Sequence, residues 1–225
     1  YGSTSASCAI IRVHYSTFDG CAMAYESYHY WKNWNDYLEL SADHDFAKFV
    51  ESGCMIYRTE ENGYLDTIIN RAKELNIPFE LWGPKDIKSN LPIVDVHKYA
   101  PVKAPSDSQF GTHENQLLKG AIFFPTAGYV NDPKLSAYNL QIASEEKGGK
   151  FLFNKEVVSI IEKDKRAAGV ELSDGSKIHS KVVINVAGPH SMKINQMAEV
   201  EKEMNIKTKA LKVEVSHVSS PANFD

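Results

Sequence analysis

Apolar positions fall into two rhythms along this chain, one helical and one of short runs. Leu65, Ile68, Ile69, Ala72 and Leu75 follow the i, i+3, i+4, i+7 spacing of an amphipathic helix, which Pro78 must end. Residues 23–40 are dense in aromatics, and the steps Tyr30, Trp34, Tyr37 also keep helical spacing. Such a stripe reads as core, because aromatic rings bury large areas. Compact apolar runs at Cys54–Tyr57, at 79–82 and at Ala121–Phe124 predict strands. Residues 84–92 predict a short helix. From 95 to 115 periodicity is lost and polarity is high, which predicts loop.

The second half continues in the same grammar. Asp132-Pro133 offers an N-cap followed by proline at the first helical position, and Gly148-Gly149 stops the helix after Lys147. A strand is expected at 151–153. Three more follow at 156–162, 168–173 and 176–180, separated by the polar turn from Lys163 to Arg166 and by Asp174-Gly175. Asp-Gly between strand-like flanks predicts a type I′ hairpin turn, with positive φ at both central residues. The run 182–186 is almost wholly apolar, as expected of a strand buried on both faces of a parallel sheet. Residues 211–218 alternate apolar and polar, predicting a half-exposed strand. There are no internal repeats and no low-complexity segments.

Composition narrows the class without naming it. With 225 residues, 43% hydrophobic and 24% charged, the chain suffices for one large domain or two small ones. A net charge of −4 gives no reason to expect nucleic acid, and the basic cluster from Lys163 to Arg166, broken by Asp164, reads as a solvated turn. Three cysteines, Cys8, Cys21 and Cys54, lack Cys-x-x-Cys or metal spacing. They imply a reduced, cytoplasmic setting, and each is expected to act as a small buried hydrophobe. No metal ligands stand out. No apolar run reaches the ~18 residues of a membrane helix, and neither a leader nor an Asn-x-Ser/Thr acceptor is seen. The first residue is Tyr1 rather than Met, so further residues are expected upstream.

Five motifs, taken in order, resemble the D-amino-acid oxidase and sarcosine oxidase superfamily of FAD-dependent oxidoreductases. They are Gly2-Ser3 followed by Ile10-Ile11-Arg12 and Tyr15; Phe124-Pro125 with Gly128 and Asp132-Pro133; the helix ending at Gly148-Gly149; the meander with Gly169-Val170 and Asp174-Gly175; and Val182-Val183-Ile184-Asn185 with Ala187-Gly188-Pro189. The resemblance spans nearly the whole chain. It implies an α/β fold, α+β in the substrate part: a partial Rossmann-like FAD-binding domain with an inserted β-meander, plus an antiparallel-sheet substrate domain. The cofactor domain would be 1–30 with 133–200, and the substrate domain 31–132 with 201–225.

The same resemblance implies FAD contacts from Ser3, Thr4, Ser5, Ala6 and Ser7, whose hydroxyls and N–H groups suit phosphate and flavin edges. It implies others from Ala187-Gly188, where small residues let the backbone come close to a ring, and from Val158, whose backbone would pair with adenine. Each has a plainer alternative: a flexible terminus, a tight turn, a core strand valine. Arg12 matches the arginine that binds the substrate carboxylate in the sarcosine-oxidase branch, as a planar guanidinium suits; the alternative is a surface arginine. The branch has a basic residue three positions earlier, where this chain has Ala9. No role is assigned to His14 or Tyr15, and no catalytic acid or base stands out.

The activity so implied is oxidation of the C–N bond of an amine or N-alkyl amino acid by hydride transfer to flavin. Two alternatives stay open: oxidation of a hydroxy acid or glycerol 3-phosphate, and a fragment that binds no cofactor. The last is raised by the missing Gly-x-Gly-x-x-Gly and its acidic ribose partner, whose absence makes a piece of a longer protein the expectation. The expected partner is a small-molecule substrate, with a homo-oligomer left open.

Overall fold

The computed structural model describes residues 2–60, 62–212, 214 and 219–220. Contacts divide the chain into two compact units, Tyr1–Gly149 with Ser220–Asp225, and Lys150–Ser219. The strand expected at 211–218 falls largely outside the described residues.

In the first unit, β1 (Ile10–Ile11) leads to α1 (Phe18–Lys32) and α2 (Trp34–Leu38). Then come β2 (Phe49–Val50), β3 (Cys54–Tyr57), α3 (Leu65–Glu74), β4 (Glu80–Trp82), α4 (Pro84–Asn90), β5 (Ala121–Phe124), β6 (Gly128–Val130) and α5 (Pro133–Glu146). Two three-stranded antiparallel sheets result, in the orders β1-β6-β2 and β3-β5-β4. The central strand β5 is nearly sealed, with Ala121, Ile122 and Phe124 at 0% exposure. Leu65, Ile68, Ile69 and Ala72 of α3 join them in one core with Val13, Cys21 and Tyr28. Burying each large aliphatic or aromatic side chain is worth about 1.5–3 kcal/mol, so the apolar stripe of α3 fixes its docking face.

Helix ends follow the chemistry of their first residues. Thr17 Oγ1 accepts the Gly20 N–H at 3.2 Å to open α1, and Asp132 Oδ1 accepts the Leu135 N–H at 2.8 Å to open α5. Gly148, at φ +87°, lets the chain leave α5 while the Gly149 N–H reaches the Ser144 carbonyl at 2.8 Å. At Gly128 a Cβ would stand 1.9 Å from the Val50 carbonyl oxygen. Only glycine lets β6 sit between β1 and β2.

The aromatic stripe does not form one buried face. Asn33, with φ −117° and ψ 44°, breaks the helix between α1 and α2. Trp34 and Tyr28 are buried, whereas Tyr30 and Tyr37 stay 42% and 49% exposed and meet each other at the surface, centroids 4.7 Å apart. Trp34 instead joins Leu38 and Ala143 in a second small core. Beside it Asn139 is fully buried. Its Oδ1 accepts from Trp34 Nε1 (3.3 Å) and the Ala47 N–H (3.0 Å), and its Nδ2 donates to the Asp45 carbonyl (2.8 Å). Among the cysteines, Cys21 is buried and Cys54 partly so, but Cys8 is exposed, against expectation.

The second unit is the expected meander: β7 (Val157–Lys163), β8 (Arg166–Leu172) and β9 (Lys177–His179), antiparallel in that order. A 3-10 turn at Gly188–His190, α6 (Ser191–Met197) and a second 3-10 turn at Val200–Lys202 complete it. The I′ turn expected at Asp174-Gly175 is found instead at the first hairpin. Asp164 and Lys165 both take positive φ, 52° and 58°, between paired Lys163 and Arg166, the I′ geometry. At Asp174-Gly175 only the glycine does (φ +81°), and its N–H donates to the Leu172 carbonyl at 2.9 Å. That is a three-residue loop closed by a left-handed glycine, so the sequence expectation of I′ there is corrected.

Neither the strand expected at 151–153 nor the buried parallel strand at 182–186 forms. Phe151 and Phe153 are 43% and 61% exposed, and Val182, Ile184 and Val186 are 67%, 76% and 84% exposed. An interior strand needs a ladder neighbour on each side, and all strand pairs among the described residues are antiparallel and lie elsewhere.

Candidate functional site

β1 delivers the first candidate side chain. Ile10 and Ile11 pair with Tyr129 and Gly128, and the chain then leaves the sheet toward the cap of α1. Val13 points into the core at 0% exposure. Tyr15 is held on both sides by one sulfur: Cys21 Sγ donates to the Tyr15 carbonyl at 2.9 Å and accepts the Tyr15 N–H at 3.1 Å. The Arg12 guanidinium lies 4.5 Å from the Tyr15 ring centroid, a cation–π contact. Among the described residues it makes no ion pair.

Arg12 and Tyr15 border a cavity of ≈ 620 Å³ with His14, Ser16, Ile56, Tyr64, Leu65 and Ile68. Its lining combines the cationic and polar side chains of Arg12, His14, Tyr15, Ser16 and Tyr64 with apolar Ile56, Leu65 and Ile68. His14 is 8% exposed, stacks on Phe124 (centroids 4.9 Å, 21°), and its Nδ1 is buried with no hydrogen-bond partner. Burial, and secondarily the charge of Arg12, pull its pKa down to about 4, so it is neutral near pH 7. Burial likewise raises the Cys54 thiol, with Arg12 opposing. The site therefore carries one unpaired cation and an uncharged imidazole, a combination that suits an anion with an apolar body.

The serine-rich segment lines a different cleft of ≈ 350 Å³, in which Ser3, Thr4, Ser7 and Ala9 meet Ile10, Ile11, Trp31, Val130, Pro133 and Ser136. Ser5 turns inward, its Oγ donating to the Gly2 carbonyl at 2.9 Å, while Ser7 Oγ accepts the Ala9 N–H at 2.9 Å. Ser5 and Ala6 are exposed outside the lining.

In the second unit Val158 sits where the β7–β8 register shifts: Val157 faces Leu172 and Ser159 faces Glu171, leaving Val158 without a partner residue. A bulge of this kind frees a residue from the ladder on an edge strand. The side chain is 44% exposed, so the core-valine alternative does not hold. Gly188, at φ +55°, has open space where a Cβ would be, and with exposed Ala187 it opens the 3-10 turn. Asn185 braces this turn, its Nδ2 donating to the Ser191 carbonyl (2.8 Å) and to Asn195 Oδ1 (2.7 Å). Within the first unit the hydroxyl-lined cleft offers donors of the kind that suit phosphate, and within the second the bulge at Val158 and the turn opened by Gly188 leave backbone accessible.

The sequence reading missed Ser16, Ile56, Tyr64, Leu65 and Ile68 as cavity residues and gave His14 no role. The amphipathic pattern of α3 did mark Leu65 and Ile68 as inward-facing, but not which space they would border.

The fold is one of mixed helix and antiparallel sheet. The chain belongs to the DAO family of FAD-dependent oxidoreductases, which it matches over residues 1–224. FAD is the cofactor of this family, as the resemblance implied. A comparison with curated protein sequences gives no match. Similar solved structures include L-proline dehydrogenase from P. horikoshii, at 21% identity and a TM-score of 0.68, covering 89% of this chain and 46% of that one. Glycine oxidase from Geobacillus kaustophilus is 17% identical with a TM-score of 0.61, covering 88% and 48%. Iminodiacetate oxidase from a Chelativorans species is 18% identical with a TM-score of 0.57, covering 88% and 48%. The chain thus spans about half the length of these proteins. No helix among the described residues is long and apolar enough to cross a membrane.

Proposed function

We propose that this chain belongs to an enzyme that oxidises the C–N bond of an amine or N-alkyl amino acid, with Arg12 holding the substrate carboxylate. The observation that carries this reading is an Arg12 guanidinium without an ion pair among the described residues, lining a cavity that it shares with apolar Ile56, Leu65 and Ile68. A carboxylate meeting a planar guanidinium gains two parallel charge-assisted hydrogen bonds, and Ile56, Leu65 and Ile68 would take the carbon skeleton. Tyr15 beneath the guanidinium limits its rotation and so fixes the direction of the fork. Neutral His14 adds no second positive charge.

FAD, when bound, supplies the hydride acceptor for the carbon beside nitrogen. The protein's share is alignment and exclusion of water rather than proton transfer. We assign FAD contacts to Ser3, Thr4 and Ser7 of the first unit, with Ser5 and Ala6 shaping that loop, and separately to Val158, Ala187 and Gly188 of the second. In this reading 1–30 and 133–200 serve the cofactor and 31–132 with 201–225 serve the substrate. The three free cysteines accord with a reduced, cytoplasmic setting.

The test is a panel of amino acids, N-alkyl amino acids, hydroxy acids and amines lacking a carboxylate, run on the full-length flavoprotein. Arg12→Gln should raise KM for carboxylate substrates about 100-fold and leave simple amines unchanged, consistent with loss of a bidentate pair worth about 3 kcal/mol. Equal KM for carboxylate substrates in both proteins would refute the role of Arg12. Turnover of hydroxy acids alone would refute the C–N assignment.

A further inference from the structure

We infer that Asp95, His97 and His113 form a binding site for a divalent transition-metal ion, zinc by the chemistry of the donors. One ligand atom from each of the three lies within 4.8 Å of the others. This site stands apart from the residues assigned to cofactor and substrate, and the sequence reading named no metal ligand here.

The backbone brings the two histidines together. His97 bridges to Leu117, the Lys98 N–H donates to the Gln116 carbonyl, and the Glu114 N–H donates to the Lys98 carbonyl, the last two at 2.8 Å. Residues 98–112 between them contain no helix or strand. The imidazoles stack with centroids 4.2 Å apart and 21° between planes, so the two rings lie side by side.

Hydrogen bonds at Nδ1 hold each ring. His113 Nδ1 lies 2.8 Å from the Glu114 carbonyl, which can only accept; Nδ1 is therefore the protonated nitrogen and Nε2 carries a lone pair. A metal-bound histidine almost always anchors its second nitrogen in this way. His97 Nδ1 is 2.6 Å from Asp95 Oδ1, a proton shared between a ring and a carboxylate that a cation can replace. The Tyr99 hydroxyl donates to Asp95 Oδ2 at 2.5 Å and the His97 N–H donates to Oδ1 at 3.0 Å, which fixes the direction of the carboxyl group.

Two imidazoles and a carboxylate suit zinc, leaving a fourth position for water. Bonds of about 2.0–2.1 Å at tetrahedral angles place ligand atoms about 3.4 Å apart. The cluster needs to close by up to about 1.4 Å, with the stacked rings turning toward each other, which rotation of these exposed and half-buried side chains allows. Bound metal would clip the ends of an irregular segment together.

The experiment is titration of the EDTA-treated full-length protein with Zn²⁺, followed by calorimetry, and with Co²⁺, followed by visible absorption. Expected are one Zn²⁺ per chain with a Kd on the order of 1 μM and tetrahedral Co²⁺ bands, neither affected by excess Mg²⁺. His113→Gln and His97→Gln should each weaken Zn²⁺ binding about 100-fold, while His179→Gln in the second unit leaves it intact. Far-UV circular dichroism of His113→Gln, whose ring is exposed, should match wild type. Undiminished Zn²⁺ uptake in both histidine variants, or no saturable uptake below about 100 μM by wild type, would overturn the assignment.

Discussion

Acid should destabilise the first unit through one side chain, His14. Its pKa is about 4 in the folded protein against 6.5 for an ordinary histidine, because burial removes the imidazolium from water and Arg12 repels it. A base with a lowered folded pKa binds its proton more readily when unfolded. Its contribution is therefore fully present above pH 6.5 and is lost as pH falls toward about 4. Proton linkage across that gap, evaluated from about pH 7.5 down to about pH 5, gives a loss of about 2 kcal/mol from this residue. His14→Phe keeps the stack on Phe124 and sacrifices no hydrogen bond at Nδ1, since none is made. Urea unfolding followed by tryptophan fluorescence reports this unit alone, because Trp31, Trp34 and Trp82 all lie within it. Wild type should lose about 2 kcal/mol more than His14→Phe over that interval, and the variant should be at least as stable near pH 7.5. If both proteins lose stability in parallel, the buried imidazole is not the acid-sensitive group.

Two other substitutions probe separate links in the argument. Asn139→Ala strands the Ala47 N–H and the Asp45 carbonyl and deprives Trp34 Nε1 of its acceptor, so the urea midpoint should fall by the equivalent of about 2–4 kcal/mol; a change below about 0.5 kcal/mol would contradict the buried network. Val158→Pro removes only a backbone N–H at a bulge on an edge strand, where proline is tolerated. It should weaken FAD retention in the full-length protein about tenfold while Val158→Ala does not. Equal retention by both variants, measured by flavin fluorescence on dilution, would remove the adenine contact from the scheme.

Much of the architecture was legible because it is written in local chemistry. The period of Leu65, Ile68, Ile69 and Ala72 sets α3, Asp132-Pro133 and Gly148-Gly149 bound α5, and alternation with polar turns sets the meander. Errors arose where the deciding partner is distant in sequence. The 182–186 run has the composition of a buried strand, but composition does not supply the neighbours a ladder needs. Tyr30 and Tyr37 have core-like side chains yet stay at the surface, because the break at Asn33 turns the stripe away. In the hairpins, which residue takes positive φ depended on strand register, not on the Asp-Gly pair alone.

The candidate sites divide along the same line. Arg12 could be singled out from Ile10-Ile11-Arg12, since the motif is contiguous. The cavity it borders could not, because Ile56, Tyr64, Leu65 and Ile68 come from β3, α3 and the segment before it. His14 looked like any packed histidine until its empty Nδ1 and its stack on Phe124 were seen. Asp95, His97 and His113 are spaced like no metal motif, and only the ladder joining 96–98 to 114–118 sets the rings side by side. By itself the sequence determined α3, α5, the meander and the family, all of which depend on near neighbours. Tertiary structure alone decided which side chains share a space, because packing and hydrogen bonding select partners by distance in three dimensions rather than along the chain.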